Sequence, residues 1–209
     1  MIYLPDAFHE TDLDALHALI ESYSFATLIS HGSAEPMITH LPLLLDRGRG
    51  AQGTLIGHFA RTNPHWRTLQ ERPEATAIFH GPHAYVSPSW YGVHPSVPTW
   101  NYAVVHAAGR ARLVHEPQAL QHITERLVET FESPRAEPWR MELPDDFRQR
   151  MLGGIVGFEI DIAQLSGKFK LSQNRSLDDR RRVVTALEAG GAAEQEVAAL
   201  MRARVMQER

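Results

Sequence analysis

Phe25-Ala26-Thr27-Leu28-Ile29-Ser30 is followed by His31-Gly32-Ser33-Ala34-Glu35-Pro36 and then by Met37-Ile38-Thr39-His40-Leu41-Pro42-Leu43-Leu44-Leu45. The first run is apolar and β-branched and too short for a helix, so it reads as a buried strand. The second carries Gly and Pro and reads as a turn. The third reads as the returning strand of a hairpin. Pro42 has no amide to donate, which places that strand at a sheet edge or a bulge. An antiparallel hairpin is the seed from which the rest of the chain is read.

Working outward, Gly48 to Gly53 is a turn and Thr54 to Ala60 a third strand. Upstream, Thr11-Asp12-Leu13-Asp14 opens a helix with Leu13, Leu16, Leu19 and Ile20 on one face. Downstream, Asn63 caps a short helix with Pro64 at its first position, and Pro73 stops it. Strands follow at Ala75 to Phe79 and Ala84 to Ser87, separated by a turn at Gly81-Pro82. The longest strand runs from Tyr102 to His115, with a bulge at Gly109. Pro117 to Phe131 is a helix, Glu132 to Pro144 a proline-rich loop, and Asp145 to Leu152 one or two helical turns. Ile155 to Ile162 alternates as a strand, and Lys168 to Gln173 extends the sheet. Leu177 to Ala189 is a helix closed by Gly190-Gly191, and Ala192 to Met206 is another. Seven or so strands joined by short turns predict a mainly β fold with peripheral helices. Its antiparallel sheet removes its edges by closing into a small barrel. Residues 1–175 form the barrel domain. Residues 176–209 form a helical pair packed on the barrel or on a partner chain, not an independent domain.

The chain has 209 residues, 43% hydrophobic and 22% charged, with a formal net charge of -4 and no cysteine. That composition is ordinary for a globular domain. It provides no global basic field for nucleic acid and excludes disulfides and thiolate metal sites. No basic region followed by an apolar stretch opens the chain, and no run approaches the ~20 apolar residues of a membrane span. A cytoplasmic protein is expected, with no membrane association. The histidine pair His80 and His83 lacks the further ligands that zinc needs, so no metal site is expected.

Residues 85–102 hold three prolines, two tryptophans and three tyrosines. Proline breaks both helix and sheet ladders, whereas aromatic rings among hydroxyls and an amide suit the wall of a ligand site. Trp90 and Trp100 would serve equally as core anchors if they stood alone; their density here favours a ligand wall. Ser87, Ser89, Tyr91, Thr99 and Asn101 supply its polar edge. Arg61-Thr62-Asn63 lies where a strand enters a helix, readable as a phosphate site or as an ordinary helix cap with a solvated Arg. Lys168, Lys170, Gln173 and Asn174 form a second polar cluster, readable as a phosphate contact or as a solvated edge strand. Neither a nucleophile elbow nor a glycine-rich nucleotide motif is present.

Met1-Ile2-Tyr3-Leu4-Pro5, Phe25-Ala26-Thr27-Leu28 and His58-Phe59-Ala60-Arg61-Thr62-Asn63-Pro64 are specific strings, as are Tyr85 to Tyr91, Val97 to Tyr102 and Gly167 to Asn174. Through them the chain resembles the PaiB family of FMN-binding negative transcriptional regulators, within the FMN-binding split-barrel proteins. The resemblance implies a homodimeric antiparallel split barrel with FMN at the subunit interface. It implies the flavin phosphate near Arg61-Thr62-Asn63 with help from basic residues. The ring then lies near the Tyr85–Tyr91 and Val97–Tyr102 loops, and Gln173 and Asn174 reach across from a partner. The expected role is an FMN-dependent oxidoreductase or flavin reductase on a small molecule. A transcriptional regulator that binds DNA, with FMN as a sensory ligand, is the alternative. It needs a basic stripe from Arg47, Arg49 and Arg180 to Arg182, and the sequence forms no DNA-reading helix. A haem-binding split barrel using His94 or His106 is a third reading.

Overall fold

The computed structural model describes residues 2–32 and 35–205. Ser33 and Ala34 of the expected turn, and Met206 of the expected last helix, lie outside these residues. The described chain forms eight strands: β1 (His9–Glu10), β2 (Phe25–His31), β3 (Pro36–Pro42), β4 (Leu44–Asp46), β5 (Thr54–Ala60), β6 (Glu74–Val86), β7 (Thr99–Val114) and β8 (Ile155–Lys170). It also forms six helices: α1 (Leu13–Ser22), α2 (His65–Glu71), α3 (Pro117–Glu132), α4 (Asp145–Gly153), α5 (Leu177–Glu188) and α6 (Ala192–Val205). The strands make one sheet in the order β3-β2-β6-β7-β8-β5-β4, with β1 also paired to β8. The first and last strands of that order, β3 and β4, are separated in the chain by Leu43 alone. The sheet is not closed by hydrogen bonds there, and the fold is an antiparallel split β-barrel with peripheral helices. No helix among the described residues is long and apolar enough to cross a membrane.

The chain divides into two compact units, and β6, β7 and β8 give residues to both. The second, Ser24–Ile78 with His106–Leu165, holds the hairpin. Here β2 pairs with β3 from Phe25↔Pro42 to His31↔Pro36, and β5 pairs with β8 from Thr54↔Asp161 to Ala60↔Ile155. Phe59 and Phe158 stack with centroids 4.4 Å apart. Leu28, Leu55 and Ile160 are fully buried; burying each such side chain stabilises the fold by about 1.5–3 kcal/mol. The apolar stripe of α3, Leu120, Ile123 and Leu127, packs with Leu44, Ile56 and Val114, while Phe131, expected on that stripe, is exposed.

The first unit comprises Met1–Tyr23, Phe79–Val105 and Ser166–Arg209. Asp12 caps α1 by accepting the Asp14 amide at 3.1 Å. Leu16, Leu19 and Ile20 are buried, but Leu13 is exposed. Gly167 is required where α1 meets β8: a Cβ there would sit 2.1 Å from Leu16 Cδ2. α5 begins at a Ser176 cap that accepts the Asp179 amide, and its buried face (Val183, Val184, Leu187) packs with α6.

Several local expectations are corrected. The return strand is broken at Leu43 into β3 and β4, and Pro42 ends β3. Gly81-Pro82 is no turn, because β6 runs straight through it. Instead the buried positions change phase, from 75, 77 and 79 before the pair to 84 and 86 after it, which is the signature of an extra residue in a strand. At Gly109, where a bulge is expected, the backbone also passes close to a neighbouring strand: a Cβ there would lie 2.1 Å from the Asp161 carbonyl oxygen. α2 begins one residue later than expected, with Asn63 Oδ1 accepting the His65 amide at 3.0 Å.

Candidate functional site

In the first unit the ends of β7 and β8 bring three cations onto one aromatic bed. Lys168 Nζ donates to the Tyr3 carbonyl at 2.9 Å and lies 4.8 Å from the Tyr3 ring and 5.7 Å from that of Tyr102. Lys170 Nζ donates to Thr99 Oγ1 and, at 2.7 Å, to the Trp100 carbonyl, with the Phe8 ring 5.8 Å away. The Arg175 guanidinium lies 4.2 Å over the Tyr91 ring. Rings attract these cations through their negative faces, but no described carboxylate pairs with any of the three. Lys168 is only 9% exposed. Burial pushes the Lys170 amine below the ordinary lysine range, and the charges of Lys168 and Arg175 push it further.

Beside this cluster is an exposed aromatic face. Trp100 is 52% exposed, with the Tyr85 ring edge-on at 6.1 Å and the His83 ring tilted at 6.3 Å. The segment between Tyr85 and Thr99 is held at both ends. Ser87 caps a short 3-10 turn, Pro88–Trp90, by accepting the Ser89 amide at 3.2 Å, and its hydroxyl meets that of Ser89 at 2.7 Å. The Gly92 amide then donates to Asp179 Oδ1 at 2.7 Å. Asp179 is buried, so the loop is tied to α5 through a charge-assisted bond.

The expected residues fall into distinct roles. Thr99, Trp100, Lys168 and Lys170 are brought together in the first unit, and Ser87, Ser89, Trp90 and Tyr91 form the loop just described. Asn101 is fully buried. Its Nδ2 donates to Ser172 Oγ at 3.0 Å and approaches Met201 Sδ at 3.3 Å, and Ser172 Oγ donates to its Oδ1 at 3.2 Å. Gln173 Oε1 accepts the Leu171 amide at 2.7 Å and its Nε2 donates to the Phe169 carbonyl, so its amide braces its own turn. It also lines a cavity of about 880 Å³ with Asp6 to Thr11, Arg180 and Arg204. Asn174 is exposed. Tyr3, Phe8 and Ser172 were not singled out from the sequence. Tyr3 and Phe8 precede Lys168 by some 160 residues, and no local pattern announces that contact.

Arg61, Thr62 and Asn63 belong to the second unit. Arg61 Nε donates to the Gly153 carbonyl at 2.7 Å and Nη2 to that of Ile155 at 2.8 Å, so the guanidinium ties this turn to the start of β8. Asn63 Nδ2 donates to Thr39 Oγ1 at 3.1 Å, and Thr62 is exposed. Next to them, fully buried His65 meets Ser30 Oγ through Nε2 and Thr39 Oγ1 through Nδ1, each at 2.8 Å. Burial pushes its pKa down, as it does for His58.

Four of the five basic residues expected in a DNA-facing stripe have partners within the chain. Arg49 forms two bonds to Glu159 at 2.9 and 2.7 Å, Arg181 pairs with Asp178 at 3.3 Å, and Arg180 donates to the Val205 carbonyl. Arg47 also has a partner.

Residues 2–164 match the family described as "Putative FMN-binding domain". Over 189 residues the chain is 34% identical to the protease synthase and sporulation protein PAI 2 of Bacillus subtilis, covering 90% of this chain and 89% of that protein. Among solved structures it is similar to a conserved hypothetical protein of Mycobacterium tuberculosis, with a TM-score of 0.59 at 14% identity, covering 84% of this chain and 94% of that one. It is likewise similar to an FAD- and haem-binding protein of Mycobacterium smegmatis, with a TM-score of 0.59 at 17% identity, covering 78% and 73%. At these identities the structural likenesses speak for the fold alone.

Proposed function

Because the chain belongs to the PaiB-type family of FMN-binding domains, we propose that it binds FMN in the first unit, with the phosphate on Lys168, Lys170 and Arg175. One observation carries this reading: the three cations lack a carboxylate partner among the described residues, although Lys168 is almost entirely buried. Burying unpaired cations is costly, and a dianion would offset that cost with charge-assisted hydrogen bonds from two ammonium groups and a guanidinium. The donor set therefore fits a phosphate monoester. The exposed face of Trp100, Tyr85 and His83 fits a flat ring system, with Thr99, Ser87 and Ser89 able to donate to its polar edge.

We read the protein as a homodimer closing over this face, where Tyr85 and Trp100 are exposed side by side; exposed apolar surface marks an interaction site. When bound, FMN supplies hydride and single-electron transfer to a small-molecule substrate. The chain itself fixes the phosphate, flanks the ring and excludes water from the cations. Arg61 is given a structural role in this reading, because two of its donors are already bonded to backbone carbonyls.

The test is a flavin-fluorescence titration of the purified protein with FMN and, separately, with riboflavin, which lacks the phosphate. Saturable quenching by micromolar FMN and binding of riboflavin at least tenfold weaker are expected. Equal affinities would remove the phosphate seat, and the absence of binding by either would refute the assignment of a flavin. Light scattering of the same sample reports the dimer.

A further inference from the structure

Ser172 is a non-glycine residue with φ of +65°, in the left-handed region. Side chains other than glycine adopt that conformation only where their surroundings compensate for it. Here the compensation is a buried pair of hydrogen bonds with Asn101, which is itself fully buried and reaches Met201 of α6. The pair lies immediately beside the proposed phosphate seat. Lys170 precedes Ser172 by two residues, and Thr99 and Trp100, its two acceptors, directly precede Asn101. β7 and β8 are neighbours in the sheet, so Asn101–Ser172 is a second tie between the same two strand ends that Lys170 bridges.

We infer that Asn101 and Ser172 are a positioning pair that holds Lys170 in place for an anionic ligand group, a role that rests on the phosphate reading above. A lysine side chain has four rotatable bonds and loses much rotamer freedom when fixed. Its ammonium stays between Thr99 and Trp100 only while those acceptors keep their distance from the β8 backbone. The Asn101–Ser172 bonds set that distance from inside. Gln173 braces the same turn through the Leu171 amide and the Phe169 carbonyl, so Ser172 is the one member of the turn whose side chain reaches across to β7. Freed from the pair, Lys170 would sample water, and the cost of ordering it would fall on ligand binding.

The test compares Ser172→Ala with Ser172→Gly. Both remove the hydroxyl, but glycine accepts a positive φ without strain, so the second variant isolates the latch from folding. The expected result is that Ser172→Gly melts above Ser172→Ala and within about 4 °C of the wild type, binds FMN about tenfold more weakly, and binds riboflavin as the wild type does. Its FMN affinity should also persist to higher pH, because hydration of Lys170 removes the burial that is the largest cause of its lowered ionisation, while the repulsion from Lys168 and Arg175 remains. Wild-type FMN affinity in Ser172→Gly would overturn the inference. So would a parallel loss of stability and of affinity for both flavins, which would mark a general structural role. Failure of wild-type protein to prefer FMN over riboflavin would instead overturn the phosphate reading beneath it.

Discussion

Replacing Lys170 by methionine should weaken the ligand and spare the fold, and the two effects have separate physical causes. Methionine keeps most of the length and the apolar stem but removes the charge. At about 4 Å and an effective dielectric of ~20, each unit charge on a phosphate attracts the ammonium by about 4 kcal/mol before desolvation. Measured losses of a charged hydrogen bond are smaller, about 1.5–3 kcal/mol. The FMN dissociation constant should therefore rise roughly 10- to 150-fold, while that of riboflavin changes less than about twofold. In the free protein the same ammonium is partly buried, repelled by Lys168 and Arg175, and pushed toward its neutral form. Its loss removes two hydrogen bonds to Thr99 and Trp100. Those acceptors are not fully buried, so water can replace the lost donor. Stability should stay within about 1 kcal/mol of wild type. The assays are a fluorescence titration at fixed ionic strength and urea unfolding. Unchanged FMN affinity, or a stability loss above about 2 kcal/mol, would refute the reasoning.

Arg61→Ala should lower stability by about 1–2 kcal/mol, since two backbone carbonyls lose their donor, and leave FMN affinity unchanged; a tenfold loss of affinity would return the phosphate to the β5–α2 turn. His65 and His58 both resist protonation in the folded chain, whereas the unfolded chain takes up those protons near the ordinary histidine pKa of ~6.5. Their contribution is thus complete above that pH and lost as pH falls below it; urea midpoints from pH 8 to pH 5 should decline, and less steeply in His65→Gln. Gly109→Ala drives a methyl group into the Asp161 carbonyl and should cost about 2–3 kcal/mol or more, measured by urea unfolding with the wild type as reference.

The barrel was legible in the sequence because its strands carry their own punctuation. The hairpin of β2 with β3, the strand Thr54–Ala60 and the stripe of α3 follow directly from apolar periodicity and from Gly and Pro placement. Misreadings arose where a residue type has two uses. Gly81-Pro82 resembles a turn locally, yet tertiary packing carries β6 through it. Proline at 64 suits a first helical position, but the cap geometry shifts by one residue. The crowding of aromatics in residues 85–102 was legible, and part of it forms the exposed face of Tyr85 and Trp100. Sequence spacing cannot tell a side chain that faces a ligand from one that braces the wall. Asn101 and Arg61 look like ligand donors as residue types, and both are committed to protein groups, one to Ser172 and the other to backbone carbonyls. Tyr3 and Phe8 become visible only when the chain's first residues return to β8.

The change of phase in β6 means that the strand carries one residue more than its facings need. Ala84 and Val86 are buried and Tyr85 is exposed because the strand absorbs that extra residue at Gly81-Pro82. Deleting either residue would leave a strictly alternating strand in which Ala84 and Val86 still share the buried side with Phe79, and Tyr85 still faces out. The same deletion in a strand that already alternates would turn every side chain beyond it to the other face. Here the loss of one codon would straighten the strand and leave Tyr85 beside Trp100 on the outer face.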